Sequence, residues 1–265
     1  MAREAIVAAM SFADVNGARV WYEEEGSGPA VVFVHGGLGD SRLWEPQARA
    51  LASRFRTIRY DLRFWGRTES PGVEASLLDD LVGLLDALDV DRAAVVGLSL
   101  GGGLALDAAV LRPERVWALA HVAGGISGSP FAPYTDDEDA AFTAAIERRD
   151  LDAAMAIDWV HWAPLGATDE IRELWLATPE AKGIPDGAGF REESVVDRLE
   201  DVRAPTLVVV ASHDPDGLRE LGATVARRVP GARLVELDSD HYLTLREPER
   251  LTGLLSEFLA DAAAA

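Results

Sequence analysis

A single serine stands where an apolar strand must turn sharply into a helix, in the stretch Val95 to Gly103, Val-Val-Gly-Leu-Ser-Leu-Gly-Gly-Gly. Its core, Gly97 to Gly101, has the spacing Gly-x-Ser-x-Gly. In that elbow a strained turn projects the serine hydroxyl above the edge of a sheet, and glycines stand where side chains would collide. Ser99 is therefore a candidate nucleophile.

The flanking residues favour this interpretation over an ordinary small-residue turn. Upstream, Ala93 to Gly97 is a short apolar run with β-branched valines, and downstream Leu104, Ala108 and Leu111 recur at helical spacing. The pattern predicts a strand, a tight turn and a helix. The turn would also place the backbone N–H of Leu100 at the positive end of a helix, where it could stabilise a developing oxyanion.

The rest of the chain predicts an α/β fold with a mostly parallel sheet. Strand-like runs begin near Phe12, Val20, Ala30, Arg56, Ala93, Val116, Pro205 and Ala232. The first two flank Asn16-Gly17, a two-residue hairpin turn, and helical patterns fill most of the gaps from the third run onward. We therefore expect eight strands with helices on both faces, and working groups at the carboxyl ends of the parallel strands.

One stretch of the chain, 126–202, lacks a convincing strand and is too long for a loop. It carries helical patterns at Asp136 to Arg149, Asp150 to Trp162 and Thr168 to Leu176. We predict a helical cap over residues 126–202, inserted into a core domain formed by residues 1–125 and 203–265.

Composition excludes several classes of function. The chain of 265 residues has no cysteine, so a thiol nucleophile and a thiolate metal site are ruled out, and its five histidines show no ligand spacing. We expect no metal and no cofactor. The formal net charge of -20 repels nucleic acid and anionic membranes, so we expect neither as a partner.

The amino-terminal residues include an acid, and their apolar segment is too short for a signal peptide. No run approaches the ~20 apolar residues of a membrane span. A cytoplasmic protein acting on a small-molecule substrate is expected, as a monomer or a homodimer.

Polar residues follow four of the predicted strands. His35-Gly36-Gly37 comes after the third and Asp61-Leu62-Arg63-Phe64-Trp65 after the fourth, while Asp214 and His241 follow the last two. A serine hydroxyl needs a base, and the imidazole needs a carboxylate to fix its tautomer. Ser99, Asp214 and His241 supply these roles in a known chain order of nucleophile, acid and histidine.

Other acids and histidines receive different interpretations. Asp216 is the nearest alternative acid, and Asp240 is less suited because it would have to fold back on its neighbour. His35 is expected to make structural hydrogen bonds, whereas His121, His161 and His213 are expected to be packing or surface groups.

These elements together resemble the α/β-hydrolase superfamily, in its branch of small esterases and lactonases, from about Phe12 to Leu259. The resemblance implies the Ser99–Asp214–His241 triad, with an oxyanion hole formed by the N–H groups of Leu100 and Gly37. This sequence departs from the family pattern at Phe64-Trp65, where relatives usually have a small residue and a histidine. It also departs at Asp238 and Asp240, acids close to His241 that could raise its affinity for a proton.

Aromatic residues provide the candidate substrate pocket. Leu151, Met155, Trp159 and Trp162 fall on one helical face, which predicts either packing on the core or a pocket wall. The candidate pocket residues are Trp65, Phe131, Trp159, Trp162 and Tyr242.

The sequence thus predicts a serine hydrolase that cleaves a small to medium, mostly apolar carboxylic ester or lactone through an acyl-enzyme. Two alternatives stay open. One is carbon-carbon bond hydrolysis, a lyase step or cofactor-free oxygenation on the same scaffold, motivated by Phe64-Trp65 and the acids near His241. The other is a non-catalytic small-ligand receptor.

Overall fold

The computed structural model describes residues 9–71, 75–183 and 193–264, and within them an eight-stranded sheet forms the centre of the fold. The strands are β1 (Ala9–Val15), β2 (Ala18–Glu25), β3 (Ala30–Val34), β4 (Arg56–Tyr60), β5 (Ala93–Leu98), β6 (Val116–Val122), β7 (Thr206–Ala211) and β8 (Arg233–Leu237). Their order across the sheet is β1-β2-β4-β3-β5-β6-β7-β8. The pairs β1–β2 and β2–β4 are antiparallel and all the others are parallel.

The observed sheet confirms the predicted fold class. The α-helices are α1 (Glu45–Leu51), α2 (Leu77–Ala87), α3 (Leu100–Leu111), α4 (Asp136–Glu147), α5 (Leu151–Trp162), α6 (Asp169–Trp175), α7 (Pro179–Lys182), α8 (Asp216–Arg228), α9 (Leu243–Arg246) and α10 (Pro248–Ala264). Asn16 and Gly17 both have positive φ, at 46° and 80°, as the hairpin between β1 and β2 requires.

The central strands are buried on both faces because helices cover both sides of the sheet. In β3, Val32 and Val34 belong to one apolar cluster, and Val31 and Phe33 belong to the other. Side chains of α2, α3 and α8 complete the first cluster, and those of α1 and α10 contribute to the second. This two-sided burial explains why the parallel strands read as continuous valine- and alanine-rich runs.

Helices α4 to α7, which we call the cap, follow β6 and precede β7. The three predicted helical patterns correspond to α4, α5 and α6, with ends that differ by one or two residues, and the short α7 was not predicted. Part of the predicted 126–202 insertion, residues 184–192, lies outside the described residues. The division into core and cap domains stays a prediction.

No helix in the described part of the chain is both long enough and apolar enough to cross a membrane.

A buried ion pair fixes the loop after β4 to α2. The Arg63 guanidinium donates to both carboxylate oxygens of Asp80, from Nε at 2.7 Å and from Nη2 at 2.8 Å, and both side chains are almost fully buried. Asn16 donates to the same carboxylate, so the β1–β2 hairpin is tied to this pair. The ion pair thereby holds one border of the predicted catalytic edge.

Asp80→Ala should destabilise the protein by about 3–5 kcal/mol, because it leaves the Arg63 charge buried without its carboxylate. Urea unfolding measures this loss. The control is Asp79→Ala at the neighbouring exposed position, which should cost less than about 1 kcal/mol. Equal effects of the two substitutions would contradict the importance assigned to the buried pair.

Candidate active site

Ser99 occupies a strained turn between β5 and α3. Its φ and ψ are 55° and -117°, a conformation that residues with side chains rarely adopt. The flanking glycines are sterically required: a Cβ on Gly97 would lie 1.9 Å from the Gly101 carbonyl oxygen, and one on Gly101 would lie 2.3 Å from the Val34 carbonyl oxygen. The sequence Gly-x-Ser-x-Gly thus produces the tight elbow that the spacing predicted.

His241 and Asp214 come together at the carboxyl ends of β8 and β7. The His241 Nδ1 atom lies 3.0 Å from Asp214 Oδ1, and both side chains are buried. This hydrogen bond assigns the proton to Nδ1, since an ionised carboxylate can only accept, and leaves Nε2 as the basic nitrogen.

The other acids near His241 contact different groups. Asp240 accepts hydrogen bonds from Arg246 Nε and from the backbone N–H groups of Tyr242 and Leu165. Asp238 contacts the exposed ring of His213. Asp216 is exposed and pairs with Arg219. Of the acids considered from the sequence, Asp214 is therefore the one that contacts the His241 ring.

Trp162 packs on His241 and lines the same cavity as Ser99. Its ring centroid lies 4.5 Å from that of His241. The His241 backbone N–H also donates to the Trp162 carbonyl at 3.3 Å. His241 Nε2 is buried and has no hydrogen-bond partner among the described residues, Ser99 included. The Ser99–His241 hydrogen bond is thus not formed in this structure.

The loop after β3, residues 35–38, packs against the elbow; because it carries Gly37, the predicted oxyanion donor, we call it the oxyanion loop. A Cβ on Gly36 would lie 3.1 Å from Ser99 Cβ, so this glycine allows the close approach. The Leu62 backbone N–H donates to His35 Nε2 at 2.9 Å, and His35 Nδ1 lies 2.8 Å from the Gly36 carbonyl oxygen. Nε2 is the acceptor, so Nδ1 carries the proton and donates to Gly36.

This contact fixes the direction of the next backbone N–H. In a trans peptide the carbonyl and the N–H point in opposite directions, so the Gly37 N–H points away from His35. Burial lowers the pKa of His35, and its neutral ring suits this donor and acceptor role. The expectation that His35 makes structural hydrogen bonds agrees with these contacts.

The cavity beside Ser99 has a volume of about 430 Å³ and extends along α3. Its apolar wall includes Leu100, Leu104, Ile126, Phe131, Trp162 and Leu218. Its polar lining includes Ser76, Asp79, Asp107, Arg112, Ser127 and Glu193. Asp107 lies two helical turns beyond Ser99 on the same face of α3, roughly 12 Å along the axis. Leu77, Leu78 and Leu111 also line the cavity, so apolar and polar side chains share its wall.

Two of the five candidate pocket residues, Phe131 and Trp162, line this cavity. The other three do not. Trp65 is buried and donates its indole N–H to the Gly37 carbonyl, Trp159 packs between the second core cluster and the cap, and Tyr242 is buried with its hydroxyl 3.4 Å from the Leu38 carbonyl. Trp65 and Tyr242 thus pack and make hydrogen bonds inside the protein, and Trp159 contributes packing between the second core cluster and the cap.

Sequence reasoning missed a polar network in the cap that holds Trp162. The Tyr134 hydroxyl donates to Asp158 and accepts from Trp162 Nε1 at 2.6 Å. Trp175 Nε1 donates to the other Asp158 oxygen. Burial raises the pKa values of Asp158 and Tyr134. In the sequence, the one signal for this network is that Asp158 and Trp162 lie one helical turn apart, which makes them neighbours on the surface of a helix.

Among the described residues, no group of three or more histidine, aspartate or glutamate side chains is arranged to hold a metal ion.

Comparison with known proteins identifies the family. Residues 29–150 match the family model described as the alpha/beta hydrolase fold. A relative from Caulobacter sp. (strain K31), whose name describes it as a carbamate hydrolase RutD, is 31% identical over 261 residues, covering 92% of this chain and 97% of its own.

Two solved structures share the fold over most of their length. A hydrolase from Pseudomonas aeruginosa PA01 has a TM-score of 0.79 and 27% identity, covering 94% of this chain and 98% of its own. The enol-lactonase from Burkholderia xenovorans LB400 has a TM-score of 0.73 and 26% identity, covering 94% of this chain and 99% of its own. The chain belongs to the alpha/beta hydrolase family and is a hydrolase of that family.

Proposed function

We propose that the protein is a serine hydrolase that cleaves a carboxylic ester or lactone through an acyl-enzyme. The observation that carries this proposal is the convergence of a strained serine elbow and a buried histidine–aspartate pair. Ser99 lines a cavity whose Trp162 wall packs directly on His241. The nucleophile thus lines a substrate-sized cavity, and the base with its orienting acid lies against the Trp162 ring that forms part of the cavity wall.

In the proposed mechanism, Ser99 Oγ attacks the carbonyl carbon of the substrate and passes its proton to His241 Nε2. Asp214 accepts from Nδ1–H, which keeps Nε2 free to take that proton and stabilises the imidazolium. His241 then protonates the leaving alkoxide. A water molecule deprotonated by the same nitrogen hydrolyses the acyl-enzyme. The Ser99–His241 contact would tighten when substrate binds, as catalytic hydrogen bonds often do.

The tetrahedral oxyanion would accept hydrogen bonds from the N–H groups of Leu100 and Gly37. Leu100 is the first residue of α3, where backbone N–H groups lack intrahelical acceptors and the helix dipole favours negative charge. Gly37 contributes the N–H whose direction is fixed through His35 and Gly36. Loss of one such donor typically lowers turnover by about 10²–10³-fold.

The cavity supports a small to medium, mostly apolar acyl or alkoxy group. Its volume of about 430 Å³ lies within the usual range for small-molecule sites, and its wall includes leucine, isoleucine and aromatic side chains. Two of the relatives above are named for substrates with an acyl carbon bonded to a heteroatom leaving group, a carbamate and an enol-lactone. An ester or lactone has the same reacting group.

Among the residues that the structure describes, no contact specifically favours the alternative of carbon-carbon cleavage or cofactor-free oxygenation. That alternative drew on Phe64-Trp65 and on the acids near His241. Trp65 bonds the oxyanion loop, and Asp238 and Asp240 contact His213 and Arg246 instead of the His241 ring.

Ser99→Ala should lower ester turnover by several orders of magnitude, because it removes the nucleophile and leaves only the binding and oxyanion contributions. The measurement is kcat/KM on p-nitrophenyl esters of graded chain length and on a lactone panel. Ser256→Ala, at a half-buried serine of α10 that does not line the cavity, is the control and should retain full activity. Near-normal hydrolysis by the Ser99→Ala protein would end the proposal.

Phe131→Ala should shift the chain-length preference, because the cavity wall recedes where the ring was. We expect kcat/KM for longer acyl chains, relative to short ones, to rise about 10-fold, within the range that methylene-sized differences produce. Val160→Ala, at an exposed position of α5, is the matched cap control. An unchanged preference in both variants would show that Phe131 does not bound the acyl group.

A further inference from the structure

We propose that Trp65 and Lys182 are positioning residues that connect the cap to the oxyanion loop and thereby hold the Gly37 N–H in place for the reaction. This inference rests on the proposed function. It concerns two features that the family resemblance does not explain: the bulky Phe64-Trp65 pair, and a lysine that is unique in the chain.

The first step is the contact between Trp65 and the oxyanion loop. Trp65 Nε1 donates to the Gly37 carbonyl at 2.7 Å, and the side chain is only 6% exposed. His35 already holds the preceding carbonyl, that of Gly36. The two peptide planes on either side of Gly37 are therefore each held by a ring N–H.

That double restraint matters because glycine has no side chain to limit its backbone. A Cβ on Gly37 would meet no atom within 4 Å, so nothing packs against the residue on the side where a side chain would stand. Without the Trp65 contact, only the plane on the His35 side stays held. The plane that carries the Gly37 N–H would then rest on the His35 contact alone, and one hydrogen bond restrains its tilt less than two restrained planes do. A preorganised oxyanion donor loses its effect when its direction varies.

The second step is the unusual conformation of the loop that carries Trp65. Phe64 and Gly66, on either side of it, have φ values of 78° and 50°. Positive φ is uncommon for a residue as bulky as Phe64, and the surrounding structure must stabilise it. This conformation turns the carbonyls of both residues toward the cap.

Lys182 supplies that stabilisation. Its Nζ donates to the Phe64 carbonyl at 2.9 Å and to the Gly66 carbonyl at 3.1 Å. The Gly66 backbone N–H also donates to the Ala177 carbonyl of the cap at 3.0 Å. The cap thus contacts the loop through the residues on both sides of Trp65.

The end of α7 that carries Lys182 is itself fixed. Arg149, between α4 and α5, donates to the carbonyls of Glu180 and Ala181 at 3.3 and 2.6 Å. A continuous series of hydrogen bonds therefore runs from the cap through Lys182 and the Trp65 loop to Gly37. The position of the cap is in this way coupled to the oxyanion donor.

Trp65→Phe tests the last bond of the series, since it keeps an aromatic ring and removes the N–H. We expect kcat to fall roughly 10-fold with KM little changed, less than the loss of a whole donor. Affinity for a boronic acid, which forms a tetrahedral adduct on the serine, should fall by the same factor, while affinity for the carboxylic acid product should not. Trp117→Phe removes an indole N–H from another backbone carbonyl, that of Ala30, and should change none of these values.

Lys182 is tested by substitution and by chemistry. Lys182→Met should lower kcat in the same direction, and Lys182→Arg should restore most of it because arginine can donate to both carbonyls. In the double variant Trp65→Phe/Lys182→Met, kcat should be no lower than in Trp65→Phe alone, as expected for residues that act through one path.

Acetylation of the folded wild-type protein with an N-hydroxysuccinimide ester gives an independent test, because Lys182 is the only lysine. It should reproduce the kcat loss of Lys182→Met. The Lys182→Arg protein, whose only remaining amine is the amino terminus, is the control and should be unaffected. This test decides the matter even if a substituted protein fails to fold.

Several results would overturn the coupling. The first two are equal kcat values for Trp65→Phe and Trp117→Phe, and additive losses of kcat in the double variant. The other two are a loss of kcat in Lys182→Arg as large as in Lys182→Met, and an unchanged kcat of the acetylated wild-type enzyme. If Ser99→Ala abolishes turnover and one of these results is found, the coupling is wrong and the proposed function stands. If Ser99→Ala retains turnover, the proposed function itself is wrong.

Discussion

The close approach of the first turn of α3 to the end of β3 is the constraint on which the rest of the site depends. A Cβ on Gly101 would lie 2.3 Å from the Val34 carbonyl oxygen, so the helix can start here only with glycine at this position. The approach forces Ser99 into a positive φ, and it brings the start of α3 beside the loop that follows β3. Strain at one residue thus places the serine and both candidate oxyanion donors at one edge of the sheet.

The parallel sheet brings the remaining groups to the same edge. β7 and β8 pair in parallel, with Ala211 opposite Leu237, so the loops that carry Asp214 and His241 leave the sheet side by side. The 3.0 Å contact between these residues follows from that register. Each neighbouring acid is satisfied elsewhere, Asp240 by Arg246 and two backbone N–H groups, so the His241 ring has one carboxylate partner among the acids considered.

The sequence was informative where short-range patterns decide the structure. Gly97 is needed because a side chain there would meet the nearby Gly101 carbonyl, so the Gly-x-Ser-x-Gly spacing and its flanking strand and helix patterns together predicted the elbow. The alternation of strands and helices predicted the parallel sheet. The role of Trp65 could not be predicted in this way. The sequence shows that a bulky residue follows β4. Whether that residue faces the substrate or donates a hydrogen bond to the Gly37 carbonyl depends on packing between distant segments. For the same reason Trp159 and Tyr242 were placed in the pocket, although both pack inward.

The cap contacts both halves of the candidate site through different residues. On the histidine side, Asp158 holds Tyr134, which accepts from Trp162, whose ring packs on His241. On the oxyanion side, Lys182 holds the loop whose Trp65 bonds Gly37. The elbow and the histidine–aspartate pair belong to the sheet, whereas the ring over His241 belongs to the cap. A change in the cap sequence can therefore alter the shape and restraint of the site without changing Ser99, Asp214 or His241. This separation gives a physical reason why proteins with the same core fold are named for different acyl substrates.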